Sequence, residues 1–205
     1  MSMQSTRPRV RSFRARAGRP AAAVVALAAA LALAVPAAHP QMTAAKSFSQ
    51  LVGEAEQIFV GTVTAAQSFR RTNRLIATDV TFAVERVLKG DVLDPFVLRH
   101  TGGTVGDFKV SIRGAPEFTV GARYVVFVVN NGQSVVPLVG GDQGVFRVVP
   151  DAAGIPAAVQ TARGGSLTNA AVLGARRPPG AAVRGPAGPL TLPVFLDAIA
   201  TELAQ

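Results

Sequence analysis

The chain of 205 residues has no cysteine, no tryptophan, a single tyrosine and two histidines. Without cysteine there is no disulfide, no thiolate nucleophile and no lipobox cysteine for lipid attachment. The fold must hold by core burial alone, which a chain of this length supports. With only His39 and His100 there is no zinc-ligand spacing, and a Ser-His-Asp arrangement would depend on His100. The nucleophile-elbow pattern G-x-S-x-G is absent, as are both phosphate-cradling glycine patterns. Acidic residues are also missing from the first 53 positions.

That last gap explains most of the charge. The formal net charge is +9, and Arg7, Arg9, Arg11, Arg14, Arg16 and Arg19 supply six of the positive charges before the first acid at Glu54. Without that segment the balance is fifteen basic against twelve acidic residues, or +3. Such mild charge, with so few stacking aromatics, argues against nucleic-acid binding. The arginine-rich start is followed by the apolar run Ala21–Val35 and then Pro36-Ala37-Ala38-His39-Pro40. Fifteen apolar residues fall short of the ~20 that span a bilayer as a helix. Residues 1–38 therefore read as a signal peptide, cleaved after Ala37 or Ala38, and the destination as secreted or periplasmic. Membrane contact is expected only through that segment during export.

What remains is rich in alternation. In Leu75–Gly90, Ile76, Val80, Phe82, Val84 and Leu88 share one parity, and polar or small residues occupy the other. This predicts a long, half-buried strand ending in a Lys89-Gly90 turn. A short helix capped by Ser47 or Ser49 precedes a first strand at Ile58–Thr64, with Gly61 marking a bulge. Further strands are expected at Pro95–His100, Phe108–Ile112, Tyr124–Val129 and Val145–Val149. Tyr124–Val129 is apolar on both parities, so both its faces should be covered. Asn130-Asn131-Gly132-Gln133 predicts a hairpin whose partner strand, Ser134–Val139, is confined to an edge by Pro137. The fold class is mainly β: a small OB-like Greek-key barrel over residues 39–149, with a short N-terminal helix.

Beyond Val149 the composition shifts. Residues 151–190 hold seven glycines, five prolines and eleven alanines, so 150–190 reads as a flexible tail. Leu192, Phe195, Leu196, Ile199 and Leu203 then recur at helical spacing behind Thr191, predicting a C-terminal helix over 191–205. That helix either docks back on the domain or serves a partner.

Candidate binding residues fall in two connections. Phe69, Arg70, Arg71 and Arg74 place cations and an aromatic between the first two strands, suited to an acidic partner. Gly102 and Gly103 lie in a glycine-rich loop, Thr101–Gly106, expected to be mobile. The bland reading of the arginines is a solvated hairpin tip. Asp79 and Glu85 on the polar face of the long strand read as ordinary surface carboxylates.

Three pieces carry a resemblance: Ala55-Glu56-Gln57-Ile58-Phe59-Val60-Gly61-Thr62-Val63, Val80–Gly90 with its Val87-Leu88-Lys89-Gly90 end, and Gly121-Ala122-Arg123-Tyr124-Val125-Val126-Phe127. In this order they resemble the netrin-like module of tissue inhibitors of metalloproteinases. With Gln143-Gly144-Val145-Phe146 they are also similar to uncharacterised exported bacterial proteins. The resemblance covers roughly 48–149 and implies an OB-type barrel. Those inhibitors chelate the protease zinc through an N-terminal cysteine, which this chain lacks, so that mechanism does not carry over. The resulting expectation is an exported, non-enzymatic protein-binding module with no cofactor or metal. Its partner is an exported protein, by resemblance a metalloprotease. The alternative is a structural or envelope-associated protein docked through its tail and final helix.

Overall fold

A computed structural model describes residues 44–150, 156–162, 164–170 and 189–205. The leader and most of the Ala/Gly/Pro segment lie outside the described residues. Among the described residues no helix is long and apolar enough to cross a membrane.

The domain begins with helix α1, Phe48–Glu54, capped by Ser47. The Ser47 hydroxyl accepts from the Gln50 N–H at 3.2 Å, and the Gln50 side chain accepts from the Ser47 N–H at 2.9 Å. This reciprocal capping satisfies two donors that a helix start leaves without partners. Strands β1 (Gln57–Arg70) and β2 (Ile76–Lys89) then form a long antiparallel hairpin. They are followed by β3 (Phe96–Thr101), the short pair β4 (Gly103–Val105) and β5 (Phe108–Val110), then β6 (Arg123–Val128), β7 (Val145–Pro150) and β8 (Pro156–Thr161). Helix α2, Leu192–Leu203, ends the chain.

Six strands make one antiparallel sheet in the order β3-β2-β1-β6-β7-β8, and β4 with β5 makes a second, two-stranded sheet. Three register shifts punctuate the β1–β2 ladder, at Ile58/Phe59, Val60/Gly61 and Val63/Ala65. Bulges of this kind bend a strand and increase its twist. At Gly61 a Cβ would lie 2.8 Å from the Ala83 carbonyl oxygen, so the close approach at the second shift requires glycine.

Each face of the sheet carries its own core. One side packs Ile58, Val60, Val125, Phe127, Phe146 and Val159 against Leu51 and Val52 of α1 and Phe195, Leu196 and Ile199 of α2. The other side joins Phe59, Phe82, Phe96, Leu98, Tyr124, Val126 and Val145. Residues from β3, β2, β1, β6 and β7, neighbours in that order, meet in the second core, so the sheet curls around it. The alternation of β6 serves both: Val125 and Phe127 enter the helix side, Tyr124, Val126 and Val128 the inner side. The lone tyrosine accepts a hydrogen bond from the Thr119 N–H at 3.0 Å, which satisfies its hydroxyl inside the core.

Several expectations change. The curled sheet does not close into a barrel by strand pairing among the described residues. The outer edge of β3 meets a loop instead: the Asn131 amide donates to the Val97 carbonyl (2.9 Å) and accepts from the Arg99 N–H (3.1 Å). Beside it, the Thr101 N–H donates to the Val135 carbonyl (2.7 Å). Ser134–Val139 is accordingly no strand. Its ladder reduces to a bridge between Val128 and Leu138, because Pro137 has no N–H and Asn131 has been drawn to β3. The strand expected over Phe108–Ile112 stops at Val110, with Phe108 60% exposed. Gly103–Val105 is a paired strand rather than part of a mobile loop. Pro156–Thr161, inside the segment read as a flexible tail, pairs with β7 as β8.

The C-terminal helix docks on the domain. Phe195 and Ile199 are fully buried, and the Phe195 ring lies 4.9 Å from Phe146. Thr191 occupies the N-cap position, but its side chain makes no capping bond. The Leu88-Lys89-Gly90 ending closes the opposite end of α1. Lys89 donates to the Val52 carbonyl at 2.8 Å and the Gly53 carbonyl at 3.1 Å, placing a cation on the last turn. Gly90 has φ +76°, and a Cβ there would strike the Glu56 carbonyl oxygen. Gln143 ties down the chain entering α1, accepting from the Lys46 N–H at 2.7 Å and donating to the Ala44 carbonyl at 3.2 Å.

Candidate functional site

The β1–β2 hairpin extends beyond the core and carries the sequence candidates. The expected connection Ser68–Arg74 is shorter than foreseen: Ser68, Phe69 and Arg70 are the last residues of β1. The turn proper holds Arg71 and Arg74, both exposed, and neither has an ion-pair or ring partner among the described residues.

Phe69 and Arg70 follow one another along β1, so they point to opposite faces of the sheet. Arg70 sets its guanidinium carbon 4.2 Å from the centre of the Phe108 ring on β5. On the other face, the Arg99 guanidinium lies 5.1 Å from the Phe69 ring. Arg99 also forms a two-pronged ion pair with Asp79, each N···O distance 2.6 Å. The hydrogen bond and then the charge of Asp79 raise the Arg99 pKa above the ordinary arginine value. Glu85 likewise has structural partners, the Arg123 guanidinium and the Thr62 hydroxyl (2.7 Å). Both carboxylates of the polar face are therefore engaged by neighbours.

Gly102 and Gly103 come close to this hairpin. The Gly102 N–H donates to the Ile76 carbonyl at 2.8 Å, and a Cβ on Gly103 would collide with the hydroxyls of Ser68 and Thr78. Both glycines have positive φ, +111° and +129°. The structure thus brings Arg70, Gly102 and Gly103 to one end of the curled sheet. Phe69 lies on the opposite face, and Arg71 and Arg74 lie at the tip.

A cleft of about 350 Å³ opens beside Gly102 and Gly103. Ser68, Thr78 and His100 form a row across its floor, since Ser68 pairs with Thr78 on β2 and Thr78 with His100 on β3. The β4–β5 hairpin and the connection through Glu117 and Phe118 line its other side. Carbonyls only accept, so three hydrogen positions follow. Thr78 donates to the Gly102 carbonyl (2.7 Å), so the Ser68 hydroxyl donates to Thr78 (2.8 Å). His100 Nδ1 lies 3.1 Å from the Thr101 carbonyl and donates there as the N–H tautomer.

The row was not legible as a site from the sequence. Ser68, Thr78 and His100 are separated along the chain, and their assembly depends on the β1 bulges that set the register. Comparison with protein-family models, with curated proteins and with solved structures returns no match to this chain.

Proposed function

We propose that this chain is an exported, non-enzymatic protein-binding module of netrin-like type, with its binding surface at the β1–β2 hairpin and the adjoining cleft. The observation that carries this reading is the arrangement at the tip. Among the described residues Arg71 and Arg74 stand exposed without an acidic partner, and Arg70 lies over Phe108. A fixed aromatic–guanidinium pair beside free cations favours an acidic protein surface, because less side-chain entropy is lost on binding. The partner in this reading is an exported protein, and the resemblance to metalloproteinase inhibitors suggests a secreted metalloprotease.

The finer fold reading, an OB-type barrel, draws support from connectivity. The run β3-β2-β1-β6-β7 is curled around one core, with Asn131 and Val135 covering the β3 edge where a barrel would close. The non-enzymatic reading draws on the cleft, where Ser68 gives its proton to Thr78 rather than to a base. The alternative of an envelope-associated protein held by its final helix is disfavoured by α2, whose Phe195 and Ile199 are already committed to the core.

The test is capture of exported proteins by the full chain, immobilised, compared with the R70A/R71A/R74A variant. A partner retained by the wild type and lost by the variant supports the reading. A partner retained equally by both contradicts it. Export is tested separately by mass spectrometry of the chain recovered from medium and periplasm, which should begin at Ala38 or His39.

A further inference from the structure

We infer that the cleft between the Ser68–Thr78–His100 row and the β4–β5 hairpin receives a donor-only cationic head group, of the kind carried by lysine and arginine side chains. This deepens the reading above, in which the same end of the sheet binds a partner protein. The inference rests on where the hydrogens point. The Gly102 carbonyl fixes the Thr78 hydrogen, and Thr78 in turn fixes the Ser68 hydrogen, so the lone pairs of Ser68 Oγ are left to accept. The Thr101 carbonyl fixes a hydrogen of His100 on Nδ1, so whenever the ring carries one hydrogen it is Nε2 that faces outward as an acceptor. The polar floor therefore offers acceptors and no side-chain donor from these three residues.

Charge around the floor does not reverse this. Lys109 and Glu117 both line the cleft and cancel formally, whereas Arg71 and Arg74 lie on the hairpin tip outside its lining. Arg70 is also outside the lining and lies against Phe108. A carboxylate entering the cleft would meet lone pairs on the floor, whereas an ammonium or guanidinium would meet acceptors for its N–H groups. Gly103 is what keeps the floor open, because any side chain at that position would occupy the space of the Ser68 and Thr78 hydroxyls.

The experiment titrates the isotope-labelled full chain at pH 7.5 with hexylammonium, butylguanidinium, hexanoate and hexanol, following backbone amide shifts. The expected result is saturable shifts at residues 68, 78 and 100–103 with one or both cations, and none there with hexanoate or hexanol. The two cations report whether the cleft prefers a lysine-like or an arginine-like head. S68A should weaken that binding about tenfold while leaving the melting temperature nearly unchanged, since a charge-assisted hydrogen bond is lost. Saturation by hexanoate at the same residues, equal saturation by hexanol, or no saturation by either cation would overturn the inference. The R70A/R71A/R74A variant separates it from the partner reading, because cation binding in the cleft should survive there while partner capture is lost.

Discussion

The Arg70 guanidinium carbon lies over the Phe108 ring, 4.2 Å from its centre, joining the end of β1 to the small β4–β5 sheet. The contact explains why Phe108, on a strand with an apparent buried face, is 60% exposed: it serves Arg70 rather than the core. An exposed cation–π contact contributes about 0.5–1 kcal/mol. F108A should therefore lower unfolding free energy in urea by no more than about 1 kcal/mol, within the range of such a contact. It should weaken partner capture disproportionately, because Arg70 is no longer oriented.

Gly103, at φ +129°, combines tight packing with a backbone open chiefly to glycine, whereas Gly106, at φ +59°, carries left-handed strain alone. Both have positive φ, but a Cβ at Gly103 collides with Ser68 and Thr78, whereas nothing lies within 4 Å of one at Gly106. G106A should cost about 1 kcal/mol, the ordinary penalty of a left-handed alanine. G103A should cost about 2–4 kcal/mol, because steric displacement is added to strain. Equal values for the two in urea unfolding would contradict the close approach of the hairpins.

Lys89 joins β2 to α1 through the Val52 and Gly53 carbonyls. K89M keeps most of the aliphatic stem and removes the donor, and should destabilise by about 1–2 kcal/mol. The loss should be partly reproduced in the wild type by high salt, which screens the dipole contribution but leaves the hydrogen bonds. Urea titrations at low and high ionic strength check this.

The long strand was legible because burial of one face writes itself into alternation, and Ile76, Val80 and Phe82 are all buried as that pattern requires. The strand expected over Tyr124–Val129 was legible for the opposite reason, since two covered faces erase alternation, and it runs Arg123–Val128. The β1 register was hidden: the shift at Val63/Ala65 leaves no glycine as a marker, yet it decides that Ser68 stands beside Thr78. Strand β8 was obscured by its alanine- and proline-rich setting, and among its described side chains Val159 enters the helix-side core. The Asn131 role was missed because Asn-Gly also signals a tight hairpin. Here its side chain, rather than a following strand, satisfies β3. Within the candidate site, Arg71 and Arg74 were legible as charge in a turn, whereas Arg70, read in the same connection, belongs to β1, and the Ser68–Thr78–His100 row exists only through tertiary pairing.

Helix α2 should behave as core. F195A removes a fully buried ring packed against Phe146 and Phe127 and should cost about 3–5 kcal/mol, a large share of the stability of a domain with no disulfide. V194A, on the exposed side of the same helix, should stay within about 0.5 kcal/mol. Deleting residues 191–205 should unfold the domain rather than release a docking element, visible as loss of its cooperative thermal transition.

The central claim is that the arginine hairpin captures an acidic exported partner, and the most direct measurement is a calorimetric titration of the captured partner into three full-length proteins: wild type, R70A/R71A/R74A and V194K. The account predicts binding to the wild type that weakens steeply with salt, loss of at least tenfold in affinity for the triple variant, and unchanged affinity for V194K. Unchanged affinity in the triple variant, with loss in V194K, would place the interface on α2 and contradict the account.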